Sequence, residues 1–121
     1  MDDRRALGFS GESAAQKYLT AQGYQIIGKN FRTRCGEIDL IAKHGDVFVF
    51  VEVKTRTSSA YGMPEEAVTR TKQRHLILAA QIYLSKFRHV NVNWRIDVLG
   101  LLQQPDGSWQ VRHIPNAVQG W

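Results

Sequence analysis

Apolar and small residues recur at Gly11, Ala14, Ala15, Tyr18 and Leu19, the i, i+3, i+4 rhythm of an amphipathic helix. Gly23 stops the pattern and Ser10 stands where an N-cap belongs, so a helix is predicted from about residue 11 to residue 22. Glu12 precedes Leu19 by two helical turns and therefore borders the buried stripe. The period then shortens. Residues 24–29, 37–42 and 47–55 read as strands, with His44, Gly45 and Asp46 as a turn signal that joins the second and third into a hairpin. A two-residue loop at His44 and Gly45, or a four-residue loop from Lys43 to Asp46, pairs Ala42 with Val47, Asp39 with Phe50 and Glu37 with Glu52. Glu37 and Asp39 then share a face with Glu52 and Lys54, and a three-residue loop would reverse this.

After the polar connection TSSAYG, Pro64 followed by Glu65 and Glu66 predicts a helix start, where proline needs no N–H partner and acids suit the dipole. Leu76, Ala79, Ala80, Tyr83, Leu84 and Phe87 carry the helical period to about residue 87. Residues 94–102 and 109–114 alternate as strands around the turn Pro105, Asp106, Gly107. The predicted order is αβββαββ: an α/β (α+β) fold with a single mixed sheet flanked by helices, all 121 residues in one domain. The run VFVFV puts the third strand at the centre of that sheet, covered on both faces.

Glu52 and Lys54 interrupt this apolar strand. A buried unpaired carboxylate or ammonium costs several kcal/mol, so the two need compensation. One reading is an ion pair at the sheet edge, with Asp39 capping a turn. The other is a divalent-metal site: Glu52 and Lys54 point to one side, and the hairpin brings Asp39 beside them. Hard oxygen ligands suit Mg²⁺, whereas the lone cysteine and the unpaired spacing of His44, His75, His89 and His113 offer no zinc site. An ion there would acidify a water while Lys54 orients it and offsets charge developing on a phosphate, the parts needed for phosphodiester hydrolysis.

Composition narrows the substrate. Sixteen Lys and Arg against eleven Asp and Glu give a net charge of +5 and a pI near 9.7, which favours a polyanionic partner. Arg32, Arg34, Arg56 and Lys72 are candidates to hold a nucleic-acid backbone. Tyr61 is either a platform for an unpaired base or a packing residue. Trp94, Trp109 and Trp121 are expected in the core or an interface. The single Cys35 excludes an intrachain disulfide and fits a reducing cytoplasm. No stretch has the length of a signal peptide's apolar run or of a membrane span. Glu37 is left as a supporting acid opposite Glu52 or an outward partner of Arg34 or Arg56.

Gly11 and Glu12, GEIDLIA at 36–42, FVEVKTR at 50–56, Lys72 and RIDVLGL at 95–101 together resemble the YraN-like family of small bacterial proteins. That family is similar to archaeal Holliday junction resolvases within the PD-(D/E)XK nuclease superfamily. The resemblance spans almost the whole chain and implies a restriction-endonuclease-like core. It implies that Asp39 and Glu52 are metal-binding carboxylates, Lys54 the catalytic lysine and Glu12 an additional acid, both catalytic and metal-binding. The proline that precedes the aspartate in the superfamily's name is replaced by Ile38. The expected activity is Mg²⁺-dependent (or Mn²⁺-dependent) endonucleolytic cleavage of DNA, including branched or flapped structures, with no small-molecule cofactor. A four-way junction would call for a homodimer. The alternative is a non-catalytic nucleic-acid-binding module on the same fold. Carboxylates facing a phosphate backbone argue for catalysis, because they repel it unless a cation intervenes.

Overall fold

The computed structural model describes residues 3–58, 60, 62–64, 68–89 and 91–118, with side chains from residue 10 onward. Strand β3 (Val47–Arg56) sends Phe48 and Phe50 to one side and Val49 and Val51 to the other, and each pair belongs to a separate core. Helix α1 (Asp3–Ala21) closes the first layer, burying Ala15 and Leu19 against Leu40, Val49, Val51, Leu99 and Leu101. Helix α2 (Arg70–Lys86) closes the other, burying Leu76, Ala79, Ala80, Tyr83 and Leu84 against Ile38, Ile41, Phe50 and Ile96. Between them β1 (Gln25–Thr33), β2 (Gly36–His44), β3, β4 (Trp94–Gln103) and β5 (Trp109–Ile114) form one sheet in chain order. All neighbours are antiparallel except β3 and β4, whose parallel pairing requires the α2 crossover. The α/β order αβββαββ is the one predicted, with β3 central. Trp94 and Trp109 each pack at the edge of a core, while Trp121 lies outside the described residues. No helix among the described residues is long and apolar enough to cross a membrane.

Three boundaries differ from the sequence reading. Helix α1 starts at Asp3, so Ser10 lies inside it and is not its cap. The apolar stripe marks only where the helix packs; Arg4, Arg5, Ala6 and Leu7 are good helix formers that extend it. Strand β1 runs on to Thr33, through a register shift between Ile26 and Gly28 and an Asn30 at φ 53° that hide its alternation. Helix α2 begins at Arg70, not at Pro64: Thr69 is its N-cap, the hydroxyl accepting from the Lys72 N–H at 3.2 Å. Pro64 is buried upstream of the helix, and Glu65 and Glu66 lie outside the described residues.

The β2–β3 register also differs, by two residues. His44 pairs with Val47, Ala42 with Val49 and Ile41 with Phe50. His44 stays in the strand, stacked on Tyr24 with ring centroids 4.2 Å apart, and Gly45 supplies the positive φ of 63° that a two-residue turn needs at its first position. A two-residue slip preserves side-chain parity, so the face expected for Glu52 and Lys54 is retained.

Candidate active site at the split between β2 and β3

Pairing between β2 and β3 ends at Leu40 and Val51, although both strands continue. Beyond that point Asp39 takes over the ladder's role: its Oδ2 accepts the Val53 N–H at 2.8 Å. Asp39 is thereby fixed beside the segment of β3 that carries Glu52. Glu52 follows Phe48 and Phe50 on the α2 side of the strand and is only 3% exposed. Lys54, two residues on, reaches back to within 3.4 Å of Glu52 Oε1. Lys72, in the first turn of α2, approaches the same oxygen at 3.4 Å. A cation in a first helical turn opposes the helix dipole, and Glu52 supplies the offsetting charge. The other oxygen, Oε2, is buried without a hydrogen-bond partner among the described residues.

Helix α1 adds the third acid from the opposite face. Its close approach depends on Gly11, where a Cβ would come within 2.2 Å of Thr55 Cγ2 on β3. Glu12, the next residue, feels the charges of both Asp39 and Glu37. The three carboxyls share one electrostatic direction. Burial raises Glu52 above the usual carboxylate range and the Asp39 charge raises it further, outweighing Lys72 and Lys54. Burial likewise raises Asp39, in spite of the Val53 N–H and Lys72. Partial burial raises Glu12, with Asp39 and then Glu37 adding to it. At all three the leading cause is burial, which disfavours the charged carboxylate.

The remaining sequence candidates are distributed around this centre. Arg32 and Arg34 are exposed at the β1–β2 turn, and Arg56 is exposed at the end of β3. Glu37 turns to Arg32, with Arg32 Nε 3.4 Å from Oε1, rather than to Arg34 or Arg56. Lys72, read from sequence as a backbone contact, sits against Glu52 itself. Tyr61 lies outside the described residues. Among the described residues no three His, Cys, Asp or Glu side chains converge closely enough to form a metal cage. A Mg²⁺ ion does not need one: it is commonly held by one or two carboxylates, with water and substrate phosphate filling its other positions. Asp39 and Glu52 provide hard oxygen donors, one of them the unpartnered Oε2, and so fit such an ion.

Sequence reasoning passed over a second polar cluster. Asp97 on β4 is fully buried and accepts from Arg95 Nε at 3.0 Å and the Asn116 N–H at 2.9 Å, and its Oδ2 lies 2.7 Å from His113 Nε2. Arg95 also donates to the Tyr24 hydroxyl at 2.7 Å. The signal was present: Arg95 and Asp97 stand two apart in an apolar strand, just as Glu52 and Lys54 do.

Known proteins match this chain along most of its length. The family model described as "Uncharacterised protein family UPF0102" matches residues 11–101. A UPF0102 protein of Symbiobacterium thermophilum is 50% identical over 113 residues, covering 93% of this chain and 96% of the relative. One from Geobacter metallireducens is 47% identical over 118 residues, covering 95% and 93%. Another, from Caldicellulosiruptor saccharolyticus, is 47% identical over 97 residues, covering 80% and 82%.

Proposed function

The chain belongs to the UPF0102 family, and we propose that it is a Mg²⁺-dependent endonuclease of the PD-(D/E)XK type, cutting phosphodiester bonds in DNA. The observation that carries this reading is Glu52: a buried carboxylate with one oxygen between two lysines and the other without a partner among the described residues. A chain that needed only a stable strand would gain by an apolar residue there. An acid retained at such a position suits a ligand that arrives from outside.

Asp39 commits Oδ2 to the Val53 N–H, which fixes its orientation on the strand, and Glu52 presents Oε2 beside it. These two residues would hold the ion, and Glu12 adds negative charge that favours its binding. When bound, a divalent ion supplies Lewis acidity toward a phosphoryl oxygen and lowers the pKa of water. Lys54 and Lys72 are each 31% exposed, so both ammonium groups reach the solvent side of Glu52. Lys54 orients the attacking water and stabilises the negative charge that grows on the phosphate as the new P–O bond forms and the ester P–O bond breaks. Lys72, on the facing helix, clamps the phosphate from the other side. Arg34 and Arg56 hold the flanking backbone and set position rather than sequence.

End-labelled duplex, flapped, four-way and single-stranded DNA, incubated with Mg²⁺, Mn²⁺ or EDTA, tests this directly. Metal-dependent cutting is expected, and Glu52→Ala purified in parallel should lose at least about a hundredfold in rate. Binding without cutting on every substrate would overturn the nuclease. It would favour the binding module, a reading supported by the lysines that already neutralise Glu52 Oε1.

A further inference from the structure

Two lines of residues lead away from the acidic centre into a separate cavity. Along β2 and into the turn before it the line runs from Asp39 through Glu37 to Cys35; along α2 it runs from Lys72 through His75 to Leu78, three residues apart on one helical face. The lines meet where Gly36 rests on α2, since a Cβ there would come 3.0 Å from His75 Cβ and its carbonyl oxygen. The resulting cavity, about 580 Å³, is walled by Arg32, Arg34, Cys35, Glu37, His75 and Leu78. A second hollow of about 450 Å³ shares Cys35 and Leu78 with it and ends at Lys86.

We propose that this track receives the unpaired nucleotides of a nucleic-acid strand, the first base lying in the hollow lined by His75, Leu78 and the β1–β2 turn. That the bound nucleotide adjoins the cut rests on the nuclease reading above; that it is unpaired rests on the cavity alone. The chemistry is mixed in the way a nucleotide is mixed. Leu78 is 39% exposed and offers an apolar surface for a base face, and His75 is an exposed ring able to stack on one. Arg34, at the rim, forms no ion pair or hydrogen bond with a described residue and is available to a phosphate. Lys86 marks the far end for the next phosphate. A paired, stacked base has no free face to place there, so a duplex would first have to expel one, and a flap or gap presents it already released. The volume suits a nucleotide-sized ligand.

Fluorescence anisotropy of the wild-type protein in EDTA, at one fixed salt concentration, tests this without any cutting. The probes are a blunt duplex, the same duplex with a single-stranded flap, and that flap with abasic sites at its first two unpaired positions. The flap is expected to bind about tenfold tighter than the duplex, and loss of the bases should remove most of that advantage. His75→Ala and Leu78→Ala change exposed residues and should together weaken flap binding about fivefold while leaving duplex binding within about twofold. Equal affinity for flap and duplex, or variants that weaken both alike, would overturn the proposal. So would a free deoxynucleoside monophosphate that competes as well as the flap, because the occupant would then be a mononucleotide. If the nuclease reading fails, these binding differences still stand or fall on their own. If cutting occurs on flap and duplex alike with no effect of His75→Ala, the track fails and the nuclease stands.

Discussion

Two buried carboxylates on neighbouring strands of this protein live under opposite regimes. Asp97 on β4 pairs in register with Val51, the residue before Glu52 on β3, and both acids are nearly or fully inaccessible. Burial would raise Asp97, but His113, the Asn116 N–H and Arg95 outweigh it and hold the carboxyl below its usual range. Among the described residues Glu52 has two lysines on one oxygen and no partner on the other, and its carboxyl is held above the usual range. The fully partnered acid ties together β4, β5 and the chain after it. The incompletely partnered one marks the place where the fold is not optimised for itself. Local unsatisfied charge of that kind is typical of sites that meet a ligand.

Replacing each acid in turn should break the symmetry most strongly. Asp97→Ala leaves Arg95 without its counter-charge and His113 without its hydrogen-bond partner, and is expected to lower stability by about 3–5 kcal/mol. Glu52→Gln removes a poorly compensated charge and should change stability by less than about 1 kcal/mol, in either direction. Urea unfolding of both variants measures this, and equal losses would erase the distinction between the fully and the incompletely partnered acid.

The approach of α1 to the Asp39–Glu52 end of the sheet comes next in size. Gly11→Ala drives a methyl into Thr55 Cγ2 and should cost about 1–3 kcal/mol and, under the proposed nuclease function, lower cleavage as Glu12 is displaced. Thr55→Ser removes the offending Cγ2, so the double variant should recover at least half of that loss. Additive losses in the double-mutant cycle would show that the contact does not set the helix position.

The smallest effect is on pH dependence, and its sign differs at the two acids. Glu52 is raised above its ordinary 4.5, so the folded protein binds its proton more tightly than the unfolded chain does. Its contribution to stability is therefore fullest below about pH 4.5 and declines as pH rises through the native value. Asp97 is lowered from 3.8, so its contribution is full above that pH and is lost as pH falls through the native value. Stability measured by urea titration in EDTA should fall between mildly acidic and neutral pH, and Glu52→Gln should flatten that slope. Asp39 and Glu12 are raised in the same direction and would leave part of it. An unchanged slope in the variant would mean that Glu52 is not among the groups responsible.

The periodicity of 3.6 or 2 was enough to order the elements, because an apolar stripe or an alternating strand follows from burial alone. It located Glu52 and Lys54 as charges in a strand that should carry none, and their common face survived even a two-residue error in register, since side chains alternate with period 2. The error itself has a local cause: a turn signal of three residues does not say which two form the turn, and His44 is decided by its stack on Tyr24, twenty residues earlier. The start of α2 was hidden in the same way, because Pro64 and Thr69 are both good helix openers and only packing chooses between them.

What the sequence determined by itself is therefore the one-dimensional part: element order, the central strand, the basic balance and the anomalous acids. What tertiary structure decided is which groups share a field. It placed Lys72 on Glu52, set Glu12 in the field of Asp39 and Glu37 beside the Gly11 contact, and gave Asp97 partners from β5 and from the residues beyond it. Those outcomes depend on distances between residues far apart in the chain, and no periodicity encodes them. They arise only when burial forces each charge to find a counter-charge or to go without, as Glu52 Oε2 does among the described residues.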